Sequence, residues 1–241
     1  MQIASSREVA GMKTKGETRA GDVLHRMRDD ILSCRLKPGD KLRFEVLKDR
    51  YEVSFSTLRE ALARLSEEGL AISEGQRGFA VAPVSVADLL DLTNARVLLD
   101  RELMRLSMQY GDDAWEAGIL ASYHRMERLQ ERLGEQYYFD ADWAALHSKF
   151  HWSLVCACRS PLLLEMRQKL FDRAHRYRRM ASQFRTQWRP KDTEHKAIRD
   201  AVLDRSAEAL DLIERHIRET TDNVLVFASR LFPDDIKTEA A

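Results

Sequence analysis

The sequence predicts a mainly α-helical protein with two unequal domains, and composition and spacing support this prediction. Of its 241 residues, 44% are hydrophobic and 32% are charged, a balance typical of a folded, helix-rich chain. Only 10 glycines and 5 prolines are present, so few helix breaks are expected. A single β-hairpin pattern near residue 75 divides a short helical region from a long one.

The first domain, residues 19–82, is predicted to contain three helices and a β-hairpin. Apolar residues at helical spacing predict a first helix over about residues 21–35, which a turn at residues 37–40 ends. A short helix at residues 44–51 and another at 56–68 follow, the latter ended by Gly69 as a C-cap glycine. Residues 70–81 form the hairpin pattern. This order is that of a winged helix-turn-helix, whose third helix presents its first turn to the DNA major groove.

The second domain is predicted to be an all-α bundle of about six helices over residues 89–231. Residues 83–88 form a predicted linker, in which Ser85 is a candidate helix cap. Helix breaks are expected near residues 111, 134, 160, 189 and 205. Residues 1–18 and 232–241 are interpreted as flexible tails.

The chain shows no apolar run of the length a membrane span needs, about 20 residues, and no secretory signal pattern. We therefore expect no membrane partner and a cytoplasmic location. The three cysteines are odd in number and lack disulfide-like spacing, which indicates a reducing compartment. Cys156 and Cys158, two positions apart on a predicted helix, are expected to be small buried residues rather than metal ligands. The formal net charge of zero does not decide whether nucleic acid is a partner, because one acidic domain can offset a basic one.

Several motifs resemble known families. Four segments of the first domain resemble the DNA-binding domain of the GntR family. They are Leu36-Lys37-Pro38-Gly39-Asp40-Lys41-Leu42, Tyr51-Glu52-Val53-Ser54, Leu58-Arg59-Glu60-Ala61-Leu62-Ala63-Arg64-Leu65 and Glu68-Gly69-Leu70. Residues 76–81 are similar to the wing of that domain. The second half resembles the FCD ligand-binding domain of the FadR-like subfamily, through Arg96-Val97-Leu98-Leu99-Asp100, Phe150-His151, Glu194-His195 and the spacing of Ala209 and His216. The resemblance covers about residues 19–230.

The resemblance implies a bacterial transcriptional regulator, most simply a repressor, that binds a pseudo-palindromic double-stranded DNA operator as a homodimer. It further implies that a small organic acid binds the FCD domain and modulates DNA affinity. An effector acts in this way when it binds differently to two arrangements of the protein.

Candidate DNA contacts lie at the start of the third helix and on the wing. Arg59 is predicted to contact guanine or phosphate, and the alternative is a salt bridge to Glu60 or Asp49. Three hydroxyl side chains can either bond phosphates or cap the helix: Ser54, Ser56 and Thr57. Arg77 and Gly78 form the wing tip, where Arg77 is a candidate phosphate contact.

Phe55 departs from the GntR pattern, since many relatives have Arg directly after the Val-Ser pair. The departure removes a charged donor from the turn that faces the groove. A Phe at this position can instead touch thymine methyl groups.

Four histidines are predicted to lie on or beside inward helix faces. His147 and His151 are four residues apart, and Trp143 and Phe150 place their shared face towards the interior. His195 and His216 lie on or beside the apolar stripes of two later helices. Buried imidazoles need partners, and imidazole suits a divalent transition metal, Zn²⁺ or Ni²⁺ foremost. The alternative is hydrogen-bonded core histidines.

The resemblance to FCD domains supports metal binding by His151, His195 and His216. His147 stands where the subfamily typically has Asp or Asn. A site built from imidazoles alone lacks negative charge, so it favours an anionic ligand that completes the metal shell.

Arg96 interrupts an apolar helical stripe, where an unpaired charge is costly. We interpret Arg96 as a clamp for the effector carboxylate, because the guanidinium group binds carboxylates with two parallel bonds. The alternative is an internal pair with Asp100, four residues further on.

Two other classes of function compete with the effector-responsive regulator. One is a metal-responsive regulator without an organic effector. The other is a hydrolase that uses a histidine-bound metal to activate water. The hydrolase hypothesis is disfavoured, because the sequence contains no H-E-x-x-H, P-loop or G-x-S-x-G motif and no obvious general base.

Overall fold

The computed structural model describes residues 19–75, 78–182, 184 and 193–232. The chain divides into two compact units. Of the described residues, 19–31 and 35–82 belong to the first unit, and Leu32–Cys34 and the residues from Pro83 onwards belong to the second. Throughout these residues, no helix combines the length and apolar character required to cross a bilayer. The predicted tail at residues 1–18, the break near residue 189 and the wing residue Arg77 lie outside the described residues.

The first unit is a three-helix domain with a small antiparallel sheet. Its helices are α1 (Arg19–Leu32), α2 (Phe44–Tyr51) and α3 (Phe55–Glu67), and its strands are β1 (Lys41–Leu42), β2 (Ala71–Ser73) and β3 (Phe79–Val81). The strand order is β1-β3-β2, with Leu42 opposite Phe79 and Ile72 opposite Ala80. The predicted winged helix-turn-helix is thus confirmed, and β1 is an additional strand that sequence analysis did not predict.

Both ends of α3 are stabilised by local hydrogen bonds. Ser54 is the N-cap residue, and its hydroxyl accepts the Thr57 backbone N–H at 3.3 Å. At the other end Gly69 adopts φ 71°, and the Leu70 N–H donates to the Leu65 carbonyl at 2.9 Å. This is a Schellman motif, so the expected C-cap glycine is confirmed. The inward face of α3 is closely packed, with Leu58, Leu62 and Leu65 fully buried.

A buried carboxylate ties α1 to α2. Asp30 accepts the Tyr51 hydroxyl and the Arg50 guanidinium, each at 2.6 Å. Arg35 donates to its other oxygen at 2.5 Å. Burial opposes ionisation of Asp30, but the Tyr51 and Arg35 hydrogen bonds and the Arg50 charge outweigh it and lower its pKa.

The second unit is all-α, as predicted. Its described helices are α4 (Val86–Tyr110), α5 (Asp113–Leu133), α6 (Ala141–Ser153), α7 (Pro161–Ser182), α8 (Glu194–Leu203), α9 (Glu208–Leu225) and α10 (Ala228–Leu231), with a 3₁₀ helix at Gly134–Phe139. The long helix α4 packs against α7 and α9, and α5 packs against α6. The core between them includes the fully buried Leu103, Met104, Ile119, Phe150 and Ile198. This arrangement gives α4, α6, α7, α8 and α9 a shared interior.

Three boundaries differ from those expected from the sequence. α4 begins at Val86, inside the predicted linker, because the Ser85 hydroxyl accepts the Asp88 backbone N–H at 3.0 Å and caps the helix there. Phe232 is buried against the core that includes Leu231, although the sequence assigned it to a tail. The expectation for the cysteines was wrong in part: α6 ends at Ser153, so Cys156 lies in a turn and is exposed, while Cys158 is buried.

Candidate functional site

The four predicted histidines come together in the interior of the second unit. His147 and His151 project from α6, His195 from the first turn of α8, and His216 from the middle of α9. The Nε2 atom of His147 is 3.0 Å from that of His195 and 3.1 Å from that of His151, and the third pair is 3.2 Å apart. One ring nitrogen of each histidine, His216 included, lies within 4.8 Å of the others. Residues 69 positions apart in sequence therefore form one cluster.

The spacing of these nitrogens fits a bound transition metal. For an ion about 2.1 Å from each nitrogen, as Zn²⁺ is, neighbouring donors lie about 3.0 Å apart at right angles and about 3.4 Å apart at the tetrahedral angle. The three Nε2 distances fall within this range. Hydrogen bonds alone satisfy the triangle poorly, because each ring nitrogen has either one proton or one lone pair in the ring plane. A shared cation satisfies three converging lone pairs at once.

The surroundings keep the imidazoles in the form that binds a metal. Burial lowers the pKa of His147 well below its usual value, and the neighbouring His195 and the Arg178 charge lower it further. Burial likewise lowers the pKa of His151, followed by the effects of His147 and His216. Both rings are thus neutral near pH 7, which leaves a lone pair available for coordination.

Glu194 orients His216, and sequence analysis missed this contact. The Nδ1–H of His216 donates to Oε2 of Glu194 at 2.9 Å, across 22 residues. The hydrogen bond selects the tautomer of His216 whose Nε2 carries the lone pair that a metal can accept. A carboxylate behind a metal-binding histidine also raises the basicity of the ring. The sequence shows Glu194 beside His195, but only the packing of α8 on α9 brings it to His216.

A charged group borders the cluster on the side of α4 and α7. Arg96 is buried, and its guanidinium lies 3.6 Å from the Asp100 carboxylate. The internal pair with Asp100, the alternative considered above, is therefore present but only loose. Asp100 makes its close bond to Arg167 instead, at 2.8 Å. Arg167, which sequence analysis did not select, also donates to the backbone carbonyl of His151 at 3.4 Å. Phe171 contacts both groups: Arg96 and Arg167 lie over its ring, and its centroid is 6.1 Å from that of His151.

The charged group therefore has capacity for an anion. Two buried guanidinium groups share one buried carboxylate. Within the residues that the structure describes, Nε of Arg96 has no hydrogen-bond partner. Burial of Arg96 lowers its pKa, although the Asp100 charge acts in the opposite direction. A buried cation with an unused donor is a place where a carboxylate can bind.

The candidate DNA contacts lie on the exposed start of α3. The Ser54 hydroxyl is 2.9 Å from those of Ser56 and Thr57 and caps the helix, as one of the two alternatives proposed. Phe55 and Ser56 are exposed, and Thr57 is half-buried. Gly78 adopts φ 94° at the wing, a backbone conformation that favours glycine.

Arg59 is exposed, and none of the described acidic residues pairs with it. The alternative pair with Glu60 is absent because Glu60 binds Arg64 at 3.0 Å. Arg59 is thus a cation available to a ligand in solution.

The fold and these two sites define a class: a winged-helix DNA-binding domain joined to a helical domain whose buried cluster could hold a metal. Comparisons agree with this definition. The family model described as bacterial regulatory proteins of the gntR family matches residues 19–81, and the FCD domain model matches residues 91–219. The chain belongs to the GntR family of bacterial transcriptional regulators, and its second domain is an FCD domain.

Relatives with curated names support this assignment. The chain is 38% identical over 204 residues to the "Uncharacterized HTH-type transcriptional regulator BphR" of Paraburkholderia xenovorans, covering 84% of this chain and 83% of that protein. It is 35% identical over 196 residues to the "HTH-type transcriptional repressor GlaR" of Escherichia coli, covering 79% and 89%. Among solved structures, Escherichia coli McbR/YncC matches with a TM-score of 0.71 at 16% identity, covering 87% of this chain and 98% of that one, and supports the fold.

The protein is therefore a transcriptional regulator and not an enzyme, as the sequence predicted. GntR regulators bind DNA, FCD domains bind small-molecule effectors, and FCD domains commonly bind a metal ion.

Proposed function

We propose that this regulator binds a pseudo-palindromic operator as a homodimer and acts as a repressor whose DNA affinity depends on a small carboxylate. In this proposal His147, His151, His195 and His216 hold a divalent metal, Zn²⁺ or Ni²⁺ foremost. Arg96 binds the effector carboxylate beside it. The DNA contacts are Arg59, Ser54, Phe55, Ser56, Thr57, Arg77 and Gly78.

The observation that carries the proposal is the pairing of two kinds of buried group in one domain. The histidine cluster has the donor spacing of a metal site, and among the described residues no carboxylate belongs to it. The adjacent guanidinium groups of Arg96 and Arg167 share the single carboxylate of Asp100. Both features favour a negatively charged small molecule over a neutral one.

Each residue has a separate task in this scheme. His147, His151, His195 and His216 would hold the metal, which would supply a Lewis-acidic centre for an oxygen of the effector. Glu194 holds the His216 ring in place, and Arg96 supplies two parallel donors to a carboxylate. Because the groups come from α4, α6, α8 and α9, a ligand that contacts all of them favours one arrangement of these helices.

The DNA-binding part is tested by selection from a random double-stranded DNA pool. Wild-type protein and Arg59→Ala are compared at ~150 mM salt, where binding to phosphates alone is weakened. We expect wild type to enrich an inverted repeat and Arg59→Ala to enrich none, because an arginine–guanine pair contributes about 1–3 kcal/mol of discrimination in each half-site. Arg64→Ala is the control, since Arg64 on the same helix is paired with Glu60. A repeat enriched equally by Arg59→Ala would contradict the proposed base contact.

The effector part is tested on the selected operator. Metal content and carboxylate-induced release of DNA are measured for wild type and for the His151→Ala/His195→Ala double variant. His124→Ala, which alters an exposed histidine on α5, is the control. We expect the double variant to lose both metal and effector response while operator binding persists. Retention of metal by the double variant would overturn the site assignment, and release of DNA by metal alone would identify a metal-responsive regulator instead.

A further inference from the structure

Phe55 is an exposed aromatic side chain at the start of the recognition helix. It is the first residue of α3, directly after the N-cap Ser54, and 52% of its surface is accessible. An aromatic side chain left in water at this position gains little for the stability of the fold. Its exposed face is available to contact a ligand such as DNA.

The ring of Phe55 is held in place by two further aromatic residues. Phe44, the first residue of α2, stacks on Phe55 with ring centroids 4.2 Å apart and planes 27° apart. Phe44 in turn meets Phe79 of β3 edge to face at 6.2 Å. The stack fixes one face of Phe55 against the domain and leaves the rest of the ring exposed. A ring that is already ordered loses little conformational entropy on binding.

Phe55 shares a helix face with Arg59, because the two residues are four positions apart. No acidic residue lies in the first turn of α3, so nothing there repels DNA. The exposed face thus offers an apolar ring beside a cation. In the major groove, guanine presents two acceptors that suit arginine, and thymine presents the C5-methyl group that suits an apolar side chain.

We propose that Phe55, supported by Phe44, is a specificity-determining residue that reads a thymine methyl group in each operator half-site, next to the base that Arg59 contacts. The proposal rests on the proposed function, in which the first turn of α3 enters the major groove. A structural role alone, in which Phe55 only covers Phe44, predicts no dependence of binding on a thymine methyl group.

The experiment removes the methyl group and leaves the protein unchanged. After the operator is selected with wild-type protein, each thymine is replaced in turn by deoxyuridine, which lacks only the C5-methyl group. Binding is measured by fluorescence anisotropy at ~150 mM salt. We expect one symmetric pair of positions at which the Kd rises about fourfold per half-site, the scale of one buried methyl group (about 0.8 kcal/mol).

Variants then connect that position to Phe55. Phe55→Ala should bind the thymine and deoxyuridine operators equally at this position. Val46→Ala, which shortens a side chain that is 60% exposed on α2, should retain the wild-type difference. Circular dichroism shows whether each variant is folded.

Two negative results have different meanings. An enriched repeat in which no thymine-to-deoxyuridine change weakens wild-type binding overturns the Phe55 proposal alone. The Phe55 proposal is also overturned if Phe55→Ala still binds the thymine operator more tightly than the deoxyuridine operator by the wild-type factor. Failure of wild-type protein to enrich any sequence, with or without added metal and carboxylates, overturns the proposed DNA recognition as a whole.

Discussion

The hydrogen bond between Glu194 and His216 predicts a measurable change in metal affinity. Substitution Glu194→Gln keeps the size of the side chain and one acceptor oxygen but removes its charge. The Nδ1–H of His216 then donates to a neutral amide oxygen, which is a weaker acceptor than a carboxylate. The Nε2 atom becomes less basic and the ring less firmly oriented, so the affinity of the proposed site for Zn²⁺ or Ni²⁺ should fall.

The size of the effect follows from the geometry. Loss of the hydrogen-bond partner behind a metal-binding histidine typically reduces metal affinity about 10–100-fold. The Glu194 side chain is 31% exposed, so solvent screens part of its charge, whereas the His216 side chain is 8% exposed. For Glu194→Gln we therefore expect metal affinity to fall about tenfold, the smaller end of this range, which corresponds to about 1.4 kcal/mol. Glu194→Ala also removes the acceptor, and its effect should approach the upper end.

The assay is competition between the full-length protein and a chromophoric chelator for Zn²⁺. Glu214→Gln is the matched control, because Glu214 is also a 31% exposed carboxylate, and it binds Arg101 and Arg218 on the surface rather than a histidine. An affinity of Glu194→Gln within twofold of both wild type and Glu214→Gln would refute the positioning role of Glu194. Absence of Zn²⁺ and Ni²⁺ binding by wild type would instead refute the metal site itself.

Two stability predictions concern one unit each, and they are separable because all four tryptophans lie after residue 114. Asp30→Asn should destabilise the winged-helix domain. In urea denaturation, the far-UV circular dichroism signal of this domain should then be lost at lower urea, while the tryptophan fluorescence transition stays unchanged. The pKa of Asp30 in the folded domain is lowered below 3.8, so ionised Asp30 contributes its full stabilisation above pH 3.8, and this contribution is lost as the pH falls through the folded pKa. The difference in stability between wild type and Asp30→Asn should therefore shrink on acidification. A difference that grows would contradict the assignment. Phe150→Ala should cost the FCD domain about 3–5 kcal/mol in urea denaturation followed by tryptophan fluorescence, since Phe150 is fully buried; a loss below about 1 kcal/mol would show that the core refills the cavity.

Much of the fold was predictable because its signals are local. Helical spacing of apolar residues, the Gly69 cap and the glycines of the hairpin each depend on a few neighbouring residues. Strand β1 could not be predicted because its two residues are too few to show a strand periodicity. Only their pairing with β3 makes them a strand. The turn after Ser153 was taken for helix because its apolar residues resemble a continued helical face.

The candidate site divides in the same way. Imidazoles on inward helix faces can be recognised from sequence, because a polar group in an apolar stripe needs a partner wherever the helix packs. The identity of that partner depends on tertiary structure. The packing of α8 on α9 brings Glu194 to His216, and that of α4 on α7 brings Arg167 to Asp100, across 67 residues.

The sequence by itself thus determined the two-domain helical architecture, the family resemblance and the four candidate metal ligands. Only the tertiary structure decided which nitrogen atoms converge, which carboxylate orients them, and that Arg96 is only loosely paired with Asp100. It likewise decided that Phe55 is stacked on Phe44 and still exposed. The physical reason is the range of the interactions: secondary structure follows from neighbours a few residues apart, whereas charges and rings meet according to how whole helices pack.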